Sequence, residues 1–155
     1  MHRRLFIVLP LAAATASARA HHGWSSFDLA RALWVEGRAT RVSWRNPHAE
    51  LEIDVGDAPQ LPADLAQRVL PAQAATVDGA RLLREARLPT RRDRRWLVEL
   101  APLTRMDAWK MTAPRVGDSV GVLGYTFAGE QGEAVLRAEY LFSGGRVAGL
   151  RSSPV

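Results

Sequence analysis

Apolar and polar residues alternate along two short stretches of the chain. Apolar side chains recur at every second position over residues 51–55 and again over residues 96–100, which is typical of a strand with one buried face. A longer β-prone stretch, residues 33–44, precedes them. The pattern therefore predicts three strands in the first two thirds of the chain, each with a polar face.

A short helix and two or three further strands are predicted in the last third. Residues 104–107 are spaced like a capping box, and the helical pattern that follows ends at Pro114. Beyond a Gly-Asp turn, residues 119–125 and 135–142 are predicted strands. A glycine-rich hairpin turn then allows residues 146–150 to form a short returning strand.

This order of elements predicts a mainly β protein. Three strands, a short helix and then two or three strands fit a small antiparallel OB-like barrel, with the helix between strands 3 and 4. Closure of the barrel would remove the sheet edges that an all-β protein must otherwise protect. We expect residues 21–155 to form a single domain of this kind.

Residues 56–95, the inserted segment, interrupt the pattern between the second and third strands. The segment contains four prolines, a helical turn is predicted over residues 63–70, and residues 80–88 fit a helix better than a strand. Because a connection of this length is rarely structureless, we interpret it as an inserted subdomain or lid.

The amino terminus has the three parts of a secretory signal. Basic residues 2–4 precede an apolar stretch, residues 5–16, which is too short to span a bilayer, and Ala18 and Ala20 form a small-x-small cleavage pattern. We therefore expect residues 1–20 to be a signal peptide that is removed on export, so that the mature protein is periplasmic or secreted.

The position of the cut decides which residue becomes the new amino terminus. Cleavage after Ala20 exposes His21, whereas cleavage one residue later exposes His22. The alternative is an uncleaved membrane anchor, which is disfavoured by the polar stretch that follows at once. No later segment has the roughly 20 apolar residues that a membrane span needs, so no span is expected after cleavage.

Removal of the signal changes the charge balance. The whole chain has 21 Lys and Arg against 16 Asp and Glu, but three arginines leave with residues 1–20, so 18 remain against 16. A chain this close to balance is not expected to bind nucleic acid, and the basic run at residues 91–95 is interpreted as a solvated loop. Since the chain has no cysteine, its stability must come from a hydrophobic core.

The chemistry lies with the histidines that remain after cleavage, which are His21, His22 and His48. An amino-terminal histidine offers its free α-amine, whose pKa is about 8, and its own Nδ1, so it chelates a metal without further structure. An imidazole from His48, presented by a turn that Pro47 stiffens, would complete a T-shaped set of three nitrogens. This arrangement, a histidine brace, suits Cu(II), and copper is therefore the expected cofactor.

These residues also have structural interpretations. His22 can be an ordinary exposed residue, and His48 can hydrogen-bond its own loop. Met106 and Met111 are candidate soft ligands that would favour Cu(I), although methionines at this spacing on a short helix are typically core residues. No Ser-His-Asp set, phosphate loop or HExxH motif is present in the sequence, so we do not expect an enzyme.

Three motifs carry a resemblance to a known family. They are HHGW at residues 21–24, NPH at residues 46–48, and VGDSV at residues 116–120 followed by Gly124-Tyr125. In these motifs the chain resembles a family of small exported bacterial proteins, the domain of unknown function 6152. The resemblance implies an exported β-barrel domain without an established activity, and the inserted segment is a departure from the usual pattern.

Two classes of function follow from the sequence. The leading hypothesis is an exported periplasmic metal-binding module, which holds copper with the mature amino-terminal histidine and the NPH histidine. It would act as a carrier or storage partner, with another periplasmic protein as a further partner. The alternative is a non-metal OB-like binding or adaptor domain for a protein, a peptide or a small ligand, in which the histidines are incidental.

Overall fold

The computed structural model describes residues 23–155, so the predicted signal peptide, its cleavage site, His21 and His22 lie outside the described residues. Six strands, two α-helices and three single turns of 3-10 helix follow one another along this part of the chain. The strands are β1 (Leu33–Ser43), β2 (Glu50–Asp54), β3 (Arg95–Glu99), β4 (Ser119–Tyr125), β5 (Val135–Ser143) and β6 (Arg146–Gly149); the helices are α1 (Gly79–Glu85) and α2 (Leu103–Ala108).

Five of the strands close into a barrel. The strand order is β3-β2-β1-β4-β5, β5 also pairs with β3, and β6 extends β5 as a hairpin. This closure, with α2 between β3 and β4, confirms the predicted OB-like barrel. One feature differs from the antiparallel prediction: β3 and β5 run parallel. A closed ring with an odd number of strands cannot be antiparallel throughout, so one parallel pair is unavoidable.

The strands are strongly staggered around the barrel. Leu33, at the start of β1, pairs with Gly124 near the end of β4. Starting from the residue of β4 that follows Gly124, successive pairings lead through β5, β3 and β2 and back to β1. They return to β1 at Ser43, its last residue, and not beside Leu33. Such an offset is the signature of strands that tilt against the barrel axis, and it brings distant parts of the sequence onto one row.

Buried side chains form two layers, one inside the barrel and one outside it. Alternate residues of a strand point to opposite faces, so Val98 of β3 lies in the inner core while Leu97 packs in the outer layer. The inner core includes Leu33, Val35, Leu51, Ile53, Trp96, Val98, Val122, Leu136 and Leu141. The outer layer includes Phe27, Trp34, Leu65, Leu82, Leu83, Leu123, Tyr125 and Tyr140.

The inserted segment supplies much of the outer layer. Its second half forms α1, where a helix was predicted over residues 80–88, and the Asp78 side chain caps this helix by accepting a hydrogen bond from the Arg81 amide at 2.9 Å. A 3-10 turn, Leu65–Gln67, lies within the predicted helical turn over residues 63–70. The segment therefore packs against the outside of the barrel.

Helix α2 begins differently from the prediction. The capping box at residues 104–107 is wrong, because the helix starts at Leu103 and is preceded by Pro102, with no side-chain cap. The Pro102 carbonyl accepts hydrogen bonds from the amides of Arg105 and Met106 at 2.9 and 3.1 Å. Proline is well suited to a helix start because its own amide has no hydrogen to satisfy. Neither α2 nor any other helix within residues 23–155 has the length and apolar character of a membrane span.

Candidate metal centre

His48 lies just before β2, in the loop that follows β1. The Asn46-Pro47 peptide bond in this loop is cis, and the His48 side chain is half-buried with its Nδ1 atom out of contact with solvent. The next residue, Ala49, extends the β2 ladder: its amide donates to the Ala101 carbonyl at 3.0 Å and its carbonyl accepts from the Leu100 amide at 2.9 Å. The backbone that carries His48 is thus fixed to the barrel.

His48 stands at one end of a row of polar residues on the outer face. Ala49 and Leu51 point into the inner core, so alternation places His48 and Glu50 on the outside. Glu50 pairs directly with Glu99 of β3, and Glu99 pairs with Arg137 of β5. We call these four residues the outer row: His48, Glu50, Glu99 and Arg137.

The other end of the outer row is held by an ion pair. A guanidinium nitrogen of Arg137 lies 3.1 Å from a carboxylate oxygen of Glu99, and only 11% and 6% of the two side chains are exposed. Glu50 and Glu99 face each other across β2 and β3, and like charges in such a pair repel. The positive charge of Arg137 beside Glu99 offsets this repulsion. Glu99 and Arg137 are therefore held in place at this end of the row.

Trp24 joins the amino-terminal residues to this face. The guanidinium carbons of Arg137 and Arg151 lie 5.2 and 3.7 Å from the centroid of its ring, and Tyr125 meets the ring edge to face at 6.3 Å between centroids. Arginine groups at these distances are attracted to the electron-rich face of an indole. Trp24 thereby fixes the chain to the outside of β5 only three positions after His21.

A second, fully buried carboxylate supports Arg151. Glu139 has no exposed surface, accepts a hydrogen bond from Nε of Arg151 at 3.0 Å and contacts Nε2 of Gln73 at 3.4 Å. It occupies a bulge, because Leu123 pairs with Tyr140 while the adjacent Gly124 pairs with Ala138. The bulge leaves Glu139 outside the β4 ladder and turns its charge towards Arg151.

The two candidate soft ligands lie in the inner core. Met106, on α2, has no exposed surface, and Met111 is 5% exposed. This placement favours the interpretation of both as core residues. Among residues 23–155, no group of three or more His, Asp or Glu side chains is placed to hold a metal ion. Of the three predicted histidine ligands, only His48 lies within residues 23–155, while His21 and His22 lie outside the described residues.

Sequence reasoning missed the ion pairs around Trp24. Residues 137 and 139 are charged within a strand that is otherwise apolar, which is a sign of paired or functional groups. Their partners could not be identified from the sequence. In the structure, Arg137 binds Glu99 and Glu139 binds Arg151. Such pairs depend on strand register and on a bulge, neither of which residue spacing determines.

The two tyrosines of the chain give a direct measure of how tightly this face is packed. Burial, reinforced by the Glu139 carboxylate, raises the pKa of Tyr125 to about 12, and burial also raises the pKa of Tyr140 above its usual value of 10.0. A phenol that ionises later in the folded chain than in the unfolded chain contributes stability below pH ~10, and this is lost as the pH rises through ~12.

While the protein stays folded, an alkaline titration should therefore show Tyr125 ionising near pH 12 and Tyr140 ionising above its ordinary pKa. The same titration in denaturant should show both tyrosines ionising near their ordinary pKa of about 10. A folded protein, verified by circular dichroism, in which Tyr125 ionises with a midpoint near 10 would contradict the packing of this face.

The fold and the outer row together define an OB-like barrel protein with an ordered polar face next to its amino-terminal residues. A family of unknown function (DUF6152) matches residues 8–61. The match includes the HHGW and NPH motifs as well as β1 and β2, so it confirms the resemblance seen in the sequence and supports membership of that family. No curated protein and no solved structure matches the chain.

Proposed function

We propose that the protein is exported, loses residues 1–20 and binds copper with its new amino-terminal histidine and His48, as a periplasmic carrier or storage module. The observation that supports this most is the outer row. It connects His48 to Arg137, on which Trp24 rests. His48 and Trp24 therefore lie on one face of the barrel, and Trp24 follows the predicted histidine ligands by two or three positions.

The distances are compatible with a shared ion. Arg137 and Glu50 are two strands apart, or about 10 Å, and His48 lies two residues beyond Glu50, or about 7 Å. His21 and Trp24 are three positions apart, a span of up to about 10 Å in extended form. Because each imidazole adds several ångströms, we expect His21 to be able to reach His48.

The donor set suits copper. The α-amine and Nδ1 of His21 form a chelate ring, His48 adds a third nitrogen, and His22 takes the terminal role if cleavage falls one residue later. Copper(II) favours nitrogen donors in a tetragonal arrangement and has the highest affinity of the divalent first-row metals. We propose transport or storage as the role of this site, with another periplasmic protein as the partner that delivers or receives the ion.

The test is a titration of Cu(II) into the mature protein that begins at His21, followed by the d–d absorption band. We expect His48→Ala to weaken binding at least tenfold, because it removes one of three ligands. One added alanine before His21 should do similar damage, since it moves the amine away from the chelating imidazole. Affinity should also fall below pH ~6.5, where histidine becomes charged.

The control is Arg92→Ala, a change in the basic loop that leaves every proposed ligand in place. Its affinity should equal that of the unaltered protein. Intact mass and amino-terminal sequencing of exported protein must first identify the residue that follows the cut. Equal affinity in all of these proteins would mean that the histidines are not the ligands, and a mature chain that starts well beyond His22 would exclude the terminal chelate. Either result would leave the adaptor hypothesis in the lead.

A further inference from the structure

We infer that Trp24 is a positioning residue, which docks the chain at residue 24 onto the outer face of the barrel and so limits how far the histidines before it must reach to meet His48. The docking stands on contacts within the described residues. Its consequence for copper rests on the proposed function, and the two are tested separately below.

The indole of Trp24 is held by two guanidiniums. Arg151 lies 3.7 Å and Arg137 lies 5.2 Å from the ring centroid, while the edge contact with Tyr125 fixes the ring in a third direction. Each contact of this kind is favourable, and it gains strength where solvent is partly excluded. Three partners from β4, β5 and the carboxyl-terminal residues leave the side chain little freedom.

Both guanidiniums are themselves immobilised. Glu139, which binds Arg151, is fully buried, and Glu99, which binds Arg137, is 5% exposed. A planar guanidinium that is hydrogen-bonded to a fixed carboxylate has already lost its rotational freedom. Trp24 therefore rests on a rigid platform, and little entropy remains to be lost when it docks.

The inserted segment completes this platform from outside the barrel. The Gln73 side chain accepts a hydrogen bond from the Ser152 amide at 3.0 Å and reaches Glu139. The amides of Ala74 and Ala75 donate to the Ser153 carbonyl at 3.0 Å and the Ser152 hydroxyl at 2.7 Å. These bonds fix the residues that follow Arg151, which gives the inserted segment a role in positioning the amino terminus.

A docked terminus should bind metal more tightly than a free one. Ligands on a mobile tail must be ordered when the ion binds, and holding them in advance removes that cost. Residues that orient metal ligands without touching the metal typically change affinity by about 10- to 100-fold. We therefore expect the loss of the Trp24 clamp to weaken copper binding by about tenfold.

The first experiment uses no metal. Backbone relaxation of the Gly23 amide is measured by NMR in the mature protein and in Trp24→Leu, which keeps an apolar side chain but removes the aromatic face. We expect an order parameter of about 0.85 in the unaltered protein and below about 0.6 in Trp24→Leu. A mobile Gly23 in the unaltered protein, or an equally rigid one in both proteins, would overturn the docking.

The second experiment measures Cu(II) affinity in the same proteins. Trp24→Leu should bind about tenfold more weakly, and Trp24→Phe, which restores an aromatic face, should recover most of the loss. The matched control is Arg68→Ala, since Arg68 also lies on an indole, that of Trp34 at 5.2 Å, but away from the amino terminus. Its copper affinity should be unchanged.

The outcomes separate the two proposals. If the unaltered protein binds copper and Trp24→Leu binds it equally well, the positioning role is wrong while the proposed function stands. If the unaltered protein does not bind copper, the proposed function fails, and the order of Gly23 alone decides whether Trp24 docks the terminus. Thermal unfolding of each variant establishes that it is folded before its affinity is compared.

Discussion

Replacement of Arg151 by methionine should lower the free energy of unfolding by about 3–5 kcal/mol. The change removes the cation that lies against Glu139, whose side chain has no exposed surface. A buried carboxylate that loses its charged partner retains the full penalty of being removed from water. The contact with Gln73 at 3.4 Å is too long and too weak to replace that partner. Chemical denaturation followed by circular dichroism measures the loss.

Two further variants test whether the loss of stability depends on the burial of the ion pair. Arg41→Met breaks the ion pair between Arg41 and Glu52, whose side chains are 47% and 30% exposed, so it should cost less than about 1 kcal/mol. The double variant Arg151→Met with Glu139→Leu removes both buried charges, and it should be more stable than Arg151→Met alone. If Arg151→Met costs no more than Arg41→Met, the pair does not stabilise the outer face.

The strands of the barrel could be predicted because half of their side chains face a continuous apolar core. The alternation over residues 51–55 and 96–100 corresponds to β2 and β3 within one or two residues. Strand β4 was recognisable from its turns and β-prone residues, although six of its seven residues are buried. That strand shows no alternation because the inserted segment covers its outer face.

The outer layer could not be predicted, because its contacts join residues far apart in the sequence. Gln73 meets Ser152 and Glu139, and Thr90 donates its amide to Glu130 at 2.9 Å. Such pairs depend on how the inserted segment folds back over the barrel. Its pattern of polar and apolar residues predicts its short helices but not this packing. The outward direction of His48 was equally hidden, because it follows from the β2 register.

The copper site stays a prediction, which rests on the types and positions of the histidines alone. The contacts that hold Trp24 beside the outer row could not be predicted. A tryptophan near a terminus carries no signal of two arginines that lie more than a hundred residues away in the sequence. The stagger of the barrel creates that contact, and stagger is a property of the closed structure.

The close approach of β1 and β2 leaves no room for a side chain at Gly37, and Gly37→Ala should destabilise the barrel by about 3 kcal/mol. A Cβ atom at this position would lie 2.2 Å from the carbonyl oxygen of Asp54 and 2.8 Å from Cγ2 of Ile53. The oxygen belongs to the β2 backbone and cannot move without separating β1 from β2, where the two strands begin to pair. Gly23→Ala is the matched control, since its nearest neighbour would be the Ser25 hydroxyl at 3.7 Å, and its unfolding midpoint should be unchanged. A Gly37→Ala protein that unfolds at the same denaturant concentration as Gly23→Ala would mean that β1 and β2 do not approach each other this closely.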